Sequence, residues 1–251
     1  MSFIKKLLFY LSVPKCVCCG ERLEASDKAL CRICGKDYFD HKTRNCSVCS
    51  KVLSQCTCTN DYLKNRYTKR LVKLFRYIKR DDTERIFPSN MLIYSLKRDN
   101  RSDVLNFLSD ELTGAIKNSI KTDKFGYLIT SVPRRPSAVR RYGIDHAKLL
   151  AKSVAKKLDV PYAMLLKSTA KAAQKKMHEK ERVNNATFDY RKTDIDVKGK
   201  RVIIIDDIVT TGASMGACAM LIHALGAKEI IGAALSIAYK EKSHDFRADG
   251  R

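Results

Sequence analysis

A doubly wound, mainly parallel α/β sheet behind a small cysteine-rich module is the fold class this sequence predicts, and three observations carry it. Residues 202–205 are four β-branched side chains in a row, the pattern of a strand buried on both faces in a parallel sheet. That strand ends in Asp206-Asp207 and the small-residue loop Thr210-Thr211-Gly212-Ala213-Ser214, followed by an apolar helix over 215–225 with Gly226 at its C′ position. Nine of the ten cysteines fall between Cys16 and Cys58, away from any strand–helix alternation.

Taken in order, the chain opens with Lys5 and Lys6 before an apolar patch, Leu7 to Leu11. This resembles a signal peptide but has no small-residue cleavage site, so the expectation is a short amphipathic helix and a cytoplasmic chain. No stretch is long and apolar enough to span a membrane. The cysteines come as Cys16-x-x-Cys19, Cys31-x-x-Cys34, Cys46-x-x-Cys49 and Cys56-x-Cys58. Thiolates two residues apart reach one Zn²⁺ from a tight turn, and two such pairs complete a tetrahedron. The prediction for residues 1–60 is one zinc on Cys16, Cys19, Cys31 and Cys34 and a second on Cys46, Cys49, Cys56 and Cys58. Gly20 and Gly35 suit knuckle turns. Cys56-x-Cys58 is tighter than a usual knuckle, and His41 is an alternative ligand; Cys18 is surplus. Disulfides would need an oxidising compartment, and Cys-x-x-Cys redox chemistry a strand-then-helix setting that these pairs lack. Cys218 reads as a small core residue.

Residues 61–87 form a basic, aromatic connecting segment. Lys64, Arg66, Lys69, Arg70, Lys73 and Arg76 alternate with Tyr62, Tyr67, Phe75 and Tyr77. Two readings stand: a platform for single-stranded nucleic acid, where rings stack on bases and cations meet phosphates, or an edge hairpin with its rings inward. The formal charge of +22 suits polyanionic partners and equally a lysine-rich solvated surface.

The α/β domain is expected over 88–240. Helices are predicted at 88–97 and 104–116, then a core strand at 125–132 ending in Pro133-Arg134-Arg135. In a parallel sheet this end shares a rim with Asp206, where ligands bind. Asp145 reads as the N-cap of a helix over 147–158 and His146 as a first-turn surface residue. A short strand at 161–166, a polar stretch at 167–190, a last strand at 228–238 and a basic tail at 241–251 complete the chain.

Strand, acidic pair, small loop and helix together describe a phosphate cradle. Thr and Ser hydroxyls and the backbone N–H groups of a helix N-terminus can wrap a phosphate, and Gly212 lets the backbone approach. Carboxylates would repel that phosphate, so they suit another part of the ligand, such as a ribose diol.

Residues 202–214 resemble the signature of type I phosphoribosyltransferases, which bind 5-phosphoribosyl 1-diphosphate (PRPP) with Mg²⁺. The resemblance implies that Asp206 and Asp207 hold the ribose hydroxyls. It assigns Thr210, Thr211, Gly212, Ala213 and Ser214 to the 5′-phosphate and Pro133, Arg134 and Arg135 to the diphosphate. Leu96-Lys97-Arg98-Asp99, and Thr169, Gln174, Lys175, Arg182, Asn185 and Phe188 downstream, resemble the ComF family of competence-associated proteins. That family also joins a zinc module to such a domain in this order. Its usual Arg-Gly-Phe-Asn-Gln is replaced by Tyr142-Gly143-Ile144-Asp145-His146. The resemblance implies a role in natural transformation, with single-stranded DNA and other DNA-uptake proteins as partners and a lid at 167–190. Two functions follow: a phosphoribosyltransferase, or a DNA-binding module that keeps the ribose-phosphate site for sensing.

Overall fold

Residues 14–25, 27–78, 87–120, 126–169 and 188–238 are described in a computed structural model of the chain. The expected N-terminal helix, the basic tail and most of the expected lid, including Gln174, Lys175, Arg182 and Asn185, lie outside them.

The run of β-branched residues folds as the strand β5 (Arg201–Val209), and Val202 to Ile205 are fully buried. It lies between β6 (Glu229–Ile237) and β2 (Tyr127–Ser131), and with β1 (Thr68–Arg76) at one edge the sheet order is β1-β6-β5-β2 with every pairing parallel. Ile203 stands opposite Ile129 on one side and Ile231 on the other. Side chains alternate across the sheet. Val202 and Ile204 therefore pack with Met215, Ala219 and Ile222 of helix α7 (Ala213–Ala224), while Ile203 and Ile205 join a second core. That core contains Leu92 of α3 (Pro88–Arg98), Leu108 and Leu112 of α4 (Ser102–Lys117), and Leu150 and Val154 of α6 (His146–Leu158). Two faces, each covered by helices, make the sheet doubly wound.

Local chemistry sets the helix ends. Pro88 occupies the first turn of α3, and Gly143, at φ 71°, ends the short α5 (Pro136–Tyr142). Asp145 caps α6, its carboxylate accepting the Lys148 N–H at 3.0 Å. His146, expected at the surface, is instead 1% exposed, because the first turn of α6 abuts the rim of the sheet. In the cysteine-rich part, α1 (Arg32–Lys42) follows Cys31 and a four-residue helix α2 (Asp61–Lys64) follows Asn60.

The described part of the basic segment, residues 61–78, supplies neither a hairpin nor a simple connector. Its core is β1 (Thr68–Arg76), an edge strand parallel to β6 from Thr68 opposite Ile230 to Arg76 opposite Ile237. Leu71, Val72, Leu74 and Phe75 are fully buried, so β1 is apolar on both sides, a signal masked by the interspersed Lys and Arg. The expected strand at 161–166 contributes a single parallel bridge, Tyr162 to Ile129. Ordered pairing starts at β3 (Leu166–Ser168), antiparallel to β4 (Phe188–Tyr190).

Candidate functional site

At the carboxyl end of β5 the two acids part company. Asp207 continues the alternation of Ile203 and Ile205 and turns towards α3 and α6. It is 6% exposed, and its Oδ2 meets Arg134 Nη2 at 2.8 Å and Lys97 Nζ at 3.0 Å. Burial alone would raise its pKa, but the ammonium of Lys97 and the guanidinium of Arg134 outweigh it and hold the carboxylate below its usual value. Asp206 follows Val202 and Ile204 onto the face of α7, where its charge is felt by buried Cys218. Burial, reinforced by the neighbouring Asp207, pushes the Asp206 carboxyl up to about 8. Its Oδ1 accepts the Asp207 N–H at 2.8 Å. The two carboxylates thus do not lie side by side on one face.

The loop after β5 carries out the expected turn. Gly212 has φ 88° and stands at the N-cap of α7, and the Ala213 N–H donates to Thr211 Oγ1 at 3.2 Å. The first N–H groups of an α-helix lack intrahelical acceptors, so this end of α7 offers donors to an anion. Thr210 is exposed, Thr211 and Ser214 are half-buried, and Gly212 and Ala213 are buried. Two residues that sequence reasoning missed shape the loop. Asn60 caps α2 by accepting the Leu63 N–H at 3.0 Å, and its Nδ2 donates to the Thr211 carbonyl at 3.1 Å. Leu63 is packed so close that a Cβ on Gly212 would lie 2.8 Å from its Cγ. Asn before Asp61 was a legible cap signal; its second contact was not.

Across the rim, Pro133 is buried and Arg134 and Arg135 are half-buried. Arg134 faces the site, whereas Arg135 is the N-cap residue of α5. Lys97 joins Arg134 on Asp207, although only its neighbourhood, not its role, was visible in the sequence. Buried His146 belongs to the same group: burial first, then Arg134, holds its imidazole below the usual value. Its Nδ1 has no hydrogen-bond partner among the described residues.

The cysteines gather into two clusters, Cys16, Cys19, Cys31 and Cys34, and Cys46, Cys49, Cys56 and Cys58, with sulfurs in each within 4.8 Å of one another. A tetrahedral Zn–S set at about 2.3 Å has S–S edges of about 3.8 Å. Cys19 and Cys31 are 3.7 Å apart and Cys49 and Cys56 3.5 Å apart, so the donor sets fit such an ion. His41 is no ligand in this arrangement; its Nδ1 shares a hydrogen bond with Ser89 Oγ at 2.6 Å. Gly20, at φ 77°, makes the expected knuckle turn. Gly35 instead lies inside α1, and Ser50, at φ 58°, takes the equivalent turn in the second cluster. The tight Cys56-x-Cys58 spacing also has a reason. Cys56 is extended, and the Thr57 carbonyl accepts the Leu71 N–H at 3.0 Å, so this stretch lies along the free edge of β1. In an extended chain, residues two apart share a side.

Residues 145–248 match the family described as phosphoribosyl transferase domain. Competence protein F of Haemophilus influenzae is 24% identical over 224 residues, covering 86% of this chain and 93% of that protein. DNA utilization protein YhgH of Escherichia coli K12 is 26% identical over 227 residues, covering 88% of this chain and 96% of that protein. Ribose-phosphate pyrophosphokinase of Thermococcus kodakarensis is 41% identical over 72 residues, which is 29% of this chain and 23% of that enzyme. The chain therefore spans less than a quarter of the pyrophosphokinase it matches. A crystal structure of adenine phosphoribosyltransferase overlays on 57% of this chain and 74% of its own at 19% identity, with a TM-score of 0.40.

Fold, strand-tip acids and glycine-started helix define a type I phosphoribosyltransferase-like domain, here preceded by two cysteine clusters that could hold metal. Relatives aligned over nearly their full length, at 24% and 26% identity, support assignment of the chain to the ComF family of competence proteins. Among the described residues, no helix is long and apolar enough to cross a membrane.

Proposed function

We propose that this chain binds PRPP with Mg²⁺ where β2 and β5 end, and does so in the handling of DNA during uptake. The observation that carries the proposal is Asp207 held between Lys97 and Arg134, beside a helix that starts on Gly212. The hydroxyls of Thr210, Thr211 and Ser214 and the first amides of α7 take the 5′-phosphate. Lys97 and Arg134 take the diphosphate, as point charge and planar fork respectively. Asp207 competes for both cations, so binding the diphosphate frees its carboxylate for a ribose hydroxyl. Asp206, with its raised pKa, can donate a hydrogen bond as well as accept one. Mg²⁺, when bound, would offset diphosphate charge, and the ionised Asp207 is the kind of hard oxygen donor it prefers. Zn²⁺ in the two cysteine clusters holds the N-terminal part together. The names of the relatives in H. influenzae and E. coli support the link to DNA.

Isothermal titration with PRPP and Mg²⁺ tests the site. Wild type should give heat, and Arg134→Ala and Lys97→Ala should each weaken binding by about 1.5–3 kcal/mol, the range for hydrogen bonds to charged groups. No heat from wild type would overturn the reading.

A specific surface favours the second reading, a module gripping single-stranded DNA. Tyr67 is 48% exposed, has φ 64°, and stacks on His223 with ring centroids 3.6 Å apart. Arg66 lies over the Tyr62 ring at 3.7 Å. DNA affinity that falls steeply with salt and is indifferent to Asp207→Asn would support it.

A further inference from the structure

Lys73 is fully buried in β1, a burial that lysine almost never has without a partner. Its Nζ donates to Cys56 Sγ at 3.3 Å and to the Cys58 carbonyl at 2.5 Å. The second cysteine cluster has its own small apolar core, with Leu53 and Cys56 each 1% exposed and Cys46 2% exposed. Four thiolates around a divalent cation carry a net charge of −2, and burying that charge without compensation is strongly unfavourable. The first cluster is placed differently. Cys19 is exposed to water, and the charge of Cys16 is felt by Arg101, which is half-buried rather than enclosed.

We propose that Lys73 is a positioning residue for metal at the second cluster. It supplies counter-charge to the Cys₄ set and a hydrogen bond to the sulfur of Cys56, so retention of that metal depends on Lys73 while retention at the first cluster does not. The proposal rests on the reading that both clusters bind zinc. It also explains why one lysine of this edge strand is fully buried while Lys69, Arg70 and Arg76 reach water.

The test is zinc content of the full chain by metal analysis, with alkylation and mass spectrometry to show which thiols lose protection. Wild type should carry two zinc ions per chain. Lys73→Met should carry one, with Cys46, Cys49, Cys56 and Cys58 newly reactive and Cys16, Cys19, Cys31 and Cys34 still protected. Adding Cys49→His removes one negative charge from the ligand set and should restore the second zinc to the Lys73→Met chain; a role in packing alone would not be rescued this way. If Lys73→Met is insoluble, recovery of soluble protein by Cys49→His supports the proposal. Persistent insolubility, with Cys49→His alone soluble and zinc-bound, overturns it. Lys73→Met with two zinc ions and unchanged protection also overturns it. Wild type without zinc would instead overturn the metal reading itself.

Discussion

On one face of the central sheet, Asp207 looks onto Lys97, Arg134 and the start of α6 and is held ionised by two cations. On the other, Asp206 looks onto α7 and Cys218, with burial holding its proton up to about 8. Adjacent identical side chains on a strand therefore meet unrelated surroundings, because successive residues point to opposite sides. A ligand settling on the strand tip finds paired charge on one face and neutral donors, amides and hydroxyls on the other.

Breaking the charged face should have the largest effect. Asp207→Asn leaves Lys97 and Arg134 close together with no counter-charge, and should lower unfolding stability by about 3 kcal/mol in urea titration and abolish the heat of PRPP binding. The sign of its pH dependence follows from the depressed pKa. Its contribution is fully present above the ordinary carboxylate value of 3.8 and is lost as pH falls through the lower folded value, so the gap between variant and wild type should close below about pH 4. An undiminished gap at pH 2 would show that the ion pairs are not its source.

On the opposite face, Gly212→Ala should come next. The position has φ 88°, and the added methyl would meet Leu63 at 2.8 Å, so a loss of about 2 kcal/mol is expected, together with weaker phosphate binding. A loss below about 0.5 kcal/mol in the same titration would mean that α2 does not press on the loop.

Asp206→Asn sharpens the contrast with the smallest change, and in the opposite direction. A carboxyl whose pKa is raised on folding loses stabilising free energy as pH climbs from its unfolded value of 3.8 towards 8, since the folded state keeps a proton that the unfolded state releases. The variant lacks that slope. It should match wild type near pH 4 and melt on the order of 5 °C higher at pH 8, well short of the full linkage because the half-buried carboxyl is partly screened by water. Equal melting at both pH values would place Asp206 in a solvated setting and erase the difference between the faces.

How far could the chain alone be read? The buried strand, its acidic tip, the glycine start of α7, the Asp145 cap and the grouping of cysteines by pairs all rest on spacing within a few residues, and all were legible. The partners of Asp207 were not. Arg134 lies 73 residues away in a loop, and Lys97 reaches the site from α3. Asn60 touches Thr211 across 151 residues, and Lys73 looked like one more cation in a basic run. His146 looked like surface because its helix is polar there, yet the rim of the sheet covers it.

Local pattern determined which residues would become strand, turn and cysteine cluster, because backbone geometry and hydrophobic alternation act over one or two turns of chain. Which charges face each other was decided only by tertiary packing, since ion pairs, buried amines and loop clamps depend on where distant segments come to rest.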